Sequence, residues 1–256
     1  MPEGILRRET PEPGVAVLTL QRPERLNALN GPLLDELSDA LRWIGSDDAI
    51  RVFLLRGAPR PDGRPCFSAG VDLRAIAEGH GVGIEQGHRL TQAIEELRKP
   101  SIAVIDGNCT TGAAEIAVAC HLRIVGSSAQ ISDWHLKNLG TGLGAWGAAT
   151  RWARLVGSAR TRELFLTGRE IGAEEAVRIG FATAAHASER LYDEALAVAR
   201  AIAAMDPRGV ALTLAHLART DDLSREESLR FASLAPRWFG VGVNIEHKGE
   251  KILGKP

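Results

Sequence analysis

Cysteine is scarce. Only Cys66, Cys109 and Cys120 occur in 256 residues, an odd set with no CxxC pair, which excludes a disulfide-stapled secreted scaffold and a thiolate metal centre. No charge sign dominates, since 31 Lys and Arg stand against 32 Asp and Glu. That balance removes the electrostatic ground for a nucleic-acid or acidic-membrane partner. No apolar run approaches bilayer-spanning length, and the opening MPEGILRRET lacks the apolar centre of a signal peptide. No membrane partner and a cytoplasmic location are therefore expected. The seven histidines are scattered without an i, i+4 pair, so no metal is expected. Internal repeats and low-complexity tracts are missing as well.

What is present is a pattern of alternating elements. GVAVLTLQRP (14–23) alternates and stops at a proline, as a strand does. Asn30 can cap a helix with Pro32 in its first turn, and Leu33, Leu34, Leu37, Leu41 and Ile44 keep its period. RVFLLRG and SIAVIDG are continuous apolar runs, the signature of strands covered on both faces, and LRIVG and AQIS are shorter candidates. From residue 144 onward the pattern is almost wholly helical. Strands alternating with helices, followed by a helical tail, imply an α/β core (1–195) and a C-terminal helical region (196–256).

Several stretches carry chemistry-bearing residues. GLGAWG spaces Gly142, Gly144 and Gly147 as a dinucleotide fingerprint, but no convincing buried strand leads into it. Ser132, Asp133 and His135 are too close in sequence to form a triad easily, and no GxSxG elbow is present. His135 reads equally as a polar residue at a strand end and as a catalyst. In CFSAGVDL (66–73), small side chains let backbone approach a ligand and leave an N–H free, although a plain turn reads the same way. In TTGAAE, Gly112 opens a helix and Glu115 follows one turn on. Glu115 is either a first-turn cap or an acid–base group aimed where the free amides point.

Taken together and in order, RPERLNALN (22–30), CFSAGVDL (66–73), the 101–124 stretch, RLVG (154–157) and LTGREIGAEEAVRIGFAT (166–183) resemble the crotonase family of enoyl-CoA hydratases and isomerases. The resemblance implies an α/β fold, a crotonase-like spiral of ββα repeats with C-terminal helices that build a homotrimer or hexamer. It implies an acyl-CoA thioester as substrate, with coenzyme A entering as part of that substrate and no separate cofactor. The thioester oxygen would sit between the N–H groups of Ala69 and Gly112. Ala69, Gly70, Val71, Asp72 and Leu73 would line the CoA moiety, with Arg25, Leu26 and Ala28 around its adenine end. Glu115 maps onto one of the two glutamates with which hydratases add water.

The second glutamate is missing. In SDWHLKNLG its place falls on His135 or Leu136, according to the direction of counting, and Asp133 is near. The family's triple glycine is Thr111-Gly112-Ala113, with the middle glycine kept. His135 is the expected partner of Glu115. Hydration of an enoyl-CoA is the expected reaction. Isomerisation, C–C or thioester hydrolysis with one carboxylate, and acyl-CoA binding without turnover are the alternatives.

Overall fold

The structure, a computed structural model, describes residues 4–79 and 81–241. Strands β1 (Leu6–Glu12) and β2 (Val15–Leu20) lead through a 3-10 turn to helix α1 (Gly31–Ser46). Asn30 caps α1 by accepting the Leu33 N–H at 3.1 Å, and the buried face is the expected leucine and isoleucine stripe. Next come β3 (Val52–Gly57), β4 (Cys66–Ser68), α2 (Leu73–Ala77) and α3 (Ile84–Glu96), then β5 (Ser101–Ile105), β6 (Asn108–Thr110) and α4 (Gly112–Ala119). The pattern repeats with β7 (Leu122–Gly126), β8 (Gln130–Ser132) and α5 (His135–Leu139). Helices α6 (Ala148–Val156), α7 (Ser158–Thr167) and α8 (Ala173–Arg178), strand β9 (Ala184–His186) and helix α9 (Leu191–Ala203) follow, and α10 (Pro207–Leu217) and α11 (Arg225–Trp238) end the described chain.

From β3 onward, successive strands feed two sheets in turn. One runs β1-β2-β3-β5-β7-β9 and the other β4-β6-β8, with every pairing parallel except β1 with β2. Each strand–strand–helix unit from β3 onward is one turn of the expected ββα spiral. The period-2 alternation of the large sheet sorts its side chains onto two cores. Ala16, Leu18, Phe53, Leu55, Ala103, Ile105 and Val125 join α1, α4 and the middle helices in one cluster. Val15, Val17, Val52, Leu54, Ile102, Val104 and Ile124 face the other way, where Leu191, Ala195, Leu196 and Ala199 of α9 cover them. Strands walled on both faces need apolar residues at every position, and this explains the unbroken runs.

The chain divides into compact units 1–203 and 204–256 rather than at 195/196. The reason is α9, whose apolar face belongs to the sheet along its whole length. The second unit holds α10 and α11, and within it the His216 ring stacks on Phe231 with centroids 5.2 Å apart.

All three cysteines are buried, free thiols. Burial pushes Cys66 up to about 11 and Cys120 up to about 12, so they act as packing residues rather than nucleophiles.

Candidate active site

The three short strands of the small sheet run parallel, and their C-terminal ends lie side by side through the pairings Ser68 with Cys109 and Thr110 with Ser132. Just beyond these ends stand Ala69 to Asp72, Thr111 to Glu115, and Asp133 to His135. In parallel α/β sheets, ligands are met at such carboxyl ends.

After β4, Gly70 adopts φ +84°, and a Cβ there would lie 2.1 Å from Thr111 Oγ1. This close approach fixes which amides remain free. Ala69 N–H donates to the Leu26 carbonyl at 3.0 Å and Asp72 N–H to that of Leu29 at 2.8 Å, while Gly70 N–H reaches Ser68 Oγ at 3.2 Å. Val71 N–H has no partner among the described residues. The expectation of Ala69 as donor is therefore corrected. Its amide is spent within the backbone, and the free amide is that of Val71.

After β6, Thr111 sits at φ +47° and ψ −118°, a region costly for a β-branched residue and tolerated where geometry is over-determined. Its N–H donates to the Ser132 carbonyl at 3.1 Å. Gly112 then opens α4 with its own N–H unpaired among the described residues, at the positive end of the helix. A Cβ on Gly112 would lie 2.8 Å from the Trp146 ring and 3.2 Å from the Val71 side chain. The two free amides thus belong to neighbouring residues.

Helix α4 is buried at every position, and Glu115, 1% exposed, is its one charge. It does not cap the helix. Glu115 Oε1 accepts the N–H groups of Trp146 at 2.8 Å and Ala148 at 3.2 Å. The glycines of GLGAWG make this possible, because Gly142, Leu143, Gly144 and Gly147 all have positive φ. A Cβ on Gly144 would meet Glu115 Oε1 at 2.7 Å. The fingerprint is a carboxylate-gripping loop entered from α5 rather than from a strand.

Glu115 Oε2 faces His135 Nε2 at 3.4 Å. On the opposite side of the ring, Nδ1 meets Asp133 Oδ2 at 2.9 Å, and Asp133 Oδ1 accepts the His135 backbone N–H at 3.1 Å. Asp133 and His135 thus do come together despite their closeness in sequence, because the chain turns from β8 into α5 between them. The Ser132 side chain takes no part, and its buried Oγ has no partner among the described residues. Burial works against a charged His135. The hydrogen bonds and charges of Asp133 and Glu115 outweigh it and push the imidazole up to about 9. His135, not Leu136, is the residue brought to Glu115; Leu136 is 39% exposed.

The 25–29 and 69–73 segments are joined by a parallel bridge between Leu29 and Val71. Ala28 is buried, Leu26 is half-buried at φ +54°, and Arg25 and Leu73 are exposed. The Asp72 carboxylate is occupied by structure. It caps α2 through the amides of Arg74 and Ala75 and pairs with Arg22 Nη2 at 2.9 Å. Burial alone would raise its pKa, but these partners hold it below the usual carboxylate range. Arg22 also donates to the Ala28 carbonyl, which clamps the two segments. Among the described residues, no group of three or more His, Cys, Asp or Glu side chains is placed to share a metal ion.

A family model described as enoyl-CoA hydratase/isomerase matches residues 10–234. The short-chain-enoyl-CoA hydratase of Clostridium acetobutylicum is 32% identical over 244 residues, 93% of this chain and 89% of that protein. Among solved structures, an enoyl-CoA hydratase from Bacillus anthracis superimposes with a TM-score of 0.88 at 26% identity, covering 98% of this chain and 97% of that one. A monofunctional enoyl-CoA isomerase from M. smegmatis gives a TM-score of 0.75 at 27% identity, over 88% and 97% of the two chains.

Proposed function

Because this chain belongs to the enoyl-CoA hydratase/isomerase family, we propose that it adds water across the double bond of a 2-enoyl-CoA. The observation that carries the reading is the meeting of two unpaired amides, at Val71 and Gly112, with a buried Glu115–His135 pair at three adjoining strand ends. Addition of water at C3 sends negative charge onto the thioester oxygen. Two preset N–H donors, one at a helix start, suit that charge, and each is worth about 3 kcal/mol of barrier. Glu115 and His135 between them accept a proton from water and supply one to C2. The Gly70–Leu73 and Arg25–Ala28 segments receive the CoA portion through backbone rather than through Asp72.

Coenzyme A enters with the substrate, and the reaction needs no further cofactor. A homotrimer or hexamer and a cytoplasmic location belong to the same proposal. No helix among the described residues is long and apolar enough to cross a membrane. Exposed Leu217, Leu229, Trp238 and Phe239 offer apolar surface suited to assembly.

A second reading, isomerisation with Glu115 as sole proton shuttle, is favoured by His135 standing where a second carboxylate was expected. The test is a panel of 2-enoyl-, 3-enoyl- and 3-hydroxyacyl-CoA substrates run on wild type and Glu115→Gln. Hydration is expected with 2-enoyl-CoA, lost by 10²-fold or more on substitution, about the contribution of a positioned acid–base group. The reading is overturned if only 3-enoyl-CoA reacts, or if no acyl-CoA raises the melting temperature far above micromolar concentration.

A further inference from the structure

We propose that Asp133 is a positioning residue that fixes the direction of proton flow, making Glu115 the base and His135 the acid; this rests on the hydration reading above. The donor capacity of an imidazole ring sets the limit. A neutral ring carries one N–H and can satisfy one carboxylate, leaving a lone pair on its other nitrogen. His135 faces carboxylates on both sides, Asp133 at 2.9 Å from Nδ1 and Glu115 at 3.4 Å from Nε2. Only the protonated ring donates to both, and a cation has no lone pair with which to act as base.

Asp133 is built to hold this state. It is 3% exposed, and its Oδ1 accepts the His135 backbone N–H, so the carboxylate cannot turn away. The shorter contact secures the Nδ1 proton and leaves the Nε2 proton as the mobile one. Glu115 is oriented to match, since the Trp146 and Ala148 amides hold Oε1 and Oε2 is left toward His135.

Among the described residues of α4, α5 and α7, no other charge is paired with the ring. Glu115 is the one charged group of α4, and Lys137 on α5 itself turns to the Trp134 ring and the Gly168 carbonyl. On α7, which packs on α5, Arg160 pairs with Glu163, and Arg162 is exposed.

The step then balances. As the water oxygen bonds to C3, its proton passes to Glu115 and the π electrons move to the thioester oxygen. The enolate C2 takes the Nε2 proton of His135. Glu115 returns its proton to Nε2, so one water is added and both groups are reset.

The test combines a pH profile with a reading that needs no turnover. For Asp133→Asn, which keeps shape and removes charge, the alkaline limb of kcat/KM is expected to move down by at least one pH unit. Activity below that limb should recover to within about tenfold of wild type, with KM nearly unchanged, and Asp133→Glu should restore part of the shift. Histidine-selective NMR, with His135→Gln for assignment, should show the wild-type His135 ring charged at pH 7 and its titration shifted down in Asp133→Asn. The proposal is overturned if wild-type His135 is neutral at pH 7, if neither limb nor titration moves, or if activity falls by one factor at every pH. If no thioester is turned over, the hydration reading fails, while the NMR titration still decides whether Asp133 holds the charge on His135.

Discussion

At the scale of single residues, the informative ones are those whose hydrogen bonds are already spent. Glu115 keeps its place through two backbone amides at Oε1, while Oε2 pairs with His135, so the two oxygens carry separate roles. Glu115→Gln retains an acceptor for Trp146 and Ala148 and gives up only the charge facing His135, so it should destabilise less than Glu115→Ala. Glu115→Ala orphans two buried N–H groups at about 1–3 kcal/mol each. Chemical denaturation of the two variants checks this, and equal losses would show that the amides find other partners. Glu115 was legible in the sequence as a charge among small apolar residues. Val71 was not. Which amide of the 69–72 stretch stays free depends on the φ of Gly70 and on the pairing with Leu26 and Leu29, and residue types do not encode either. Asp133 was visible, but its bond to His135 depends on how the chain turns from β8 into α5.

At the scale of elements, length decided what could be read. α1, β2, β3 and β5 carry enough residues for a helical period, an alternation or a continuous apolar run to show, and they lie on the stretches read for them. β4, β6 and β8 have three residues each, too few for alternation to register, although the active-site segments leave from their ends. AQIS was readable only as an isolated candidate, and β9 was lost in an apparently helical tail. What ties such short pieces together is polar rather than apolar. Asn27, fully buried at φ +52°, donates from Nδ2 to the carbonyls of Ala58 at 2.8 Å and Cys66 at 3.0 Å, and its Oδ1 accepts the Arg22 N–H at 3.1 Å. It joins the segment after β2 to those around β3 and β4. Asn27→Ala should cost about 2–4 kcal/mol, from unpaired buried groups and from φ > 0 in a non-glycine residue that lacks a side-chain partner. It should also weaken acyl-CoA binding, because the 25–28 segment loses its anchor. Urea unfolding and thioester titration measure the two effects, and a stable variant with intact binding would remove the anchoring role.

At the scale of the whole molecule, two buried histidines pull stability in opposite directions with pH. His135 is raised to about 9, so its contribution is full below its unfolded value near 6.5 and is lost as pH rises toward 9. His121 is lowered to about 4, by burial first and then by Arg123. Its contribution is full above about 6.5 and is lost as pH falls toward 4. Stability should therefore peak near pH 6.5. His135→Gln should flatten the alkaline fall, which amounts to roughly 3 kcal/mol at most. Melting curves across pH 5–9 test this, and an unchanged alkaline limb in the variant would place the effect elsewhere. The covering of the large sheet has a different consequence, one that concerns synthesis on the ribosome. Among the described residues, the face built from Val15, Val17, Val52, Leu54, Ile102, Val104 and Ile124 is covered by α9, which is encoded after the nine described strands. Until Leu191–Ala203 emerges, the nascent chain carries a wide apolar sheet surface with nothing over it. That interval is where chaperone engagement is expected and where a truncated product would aggregate.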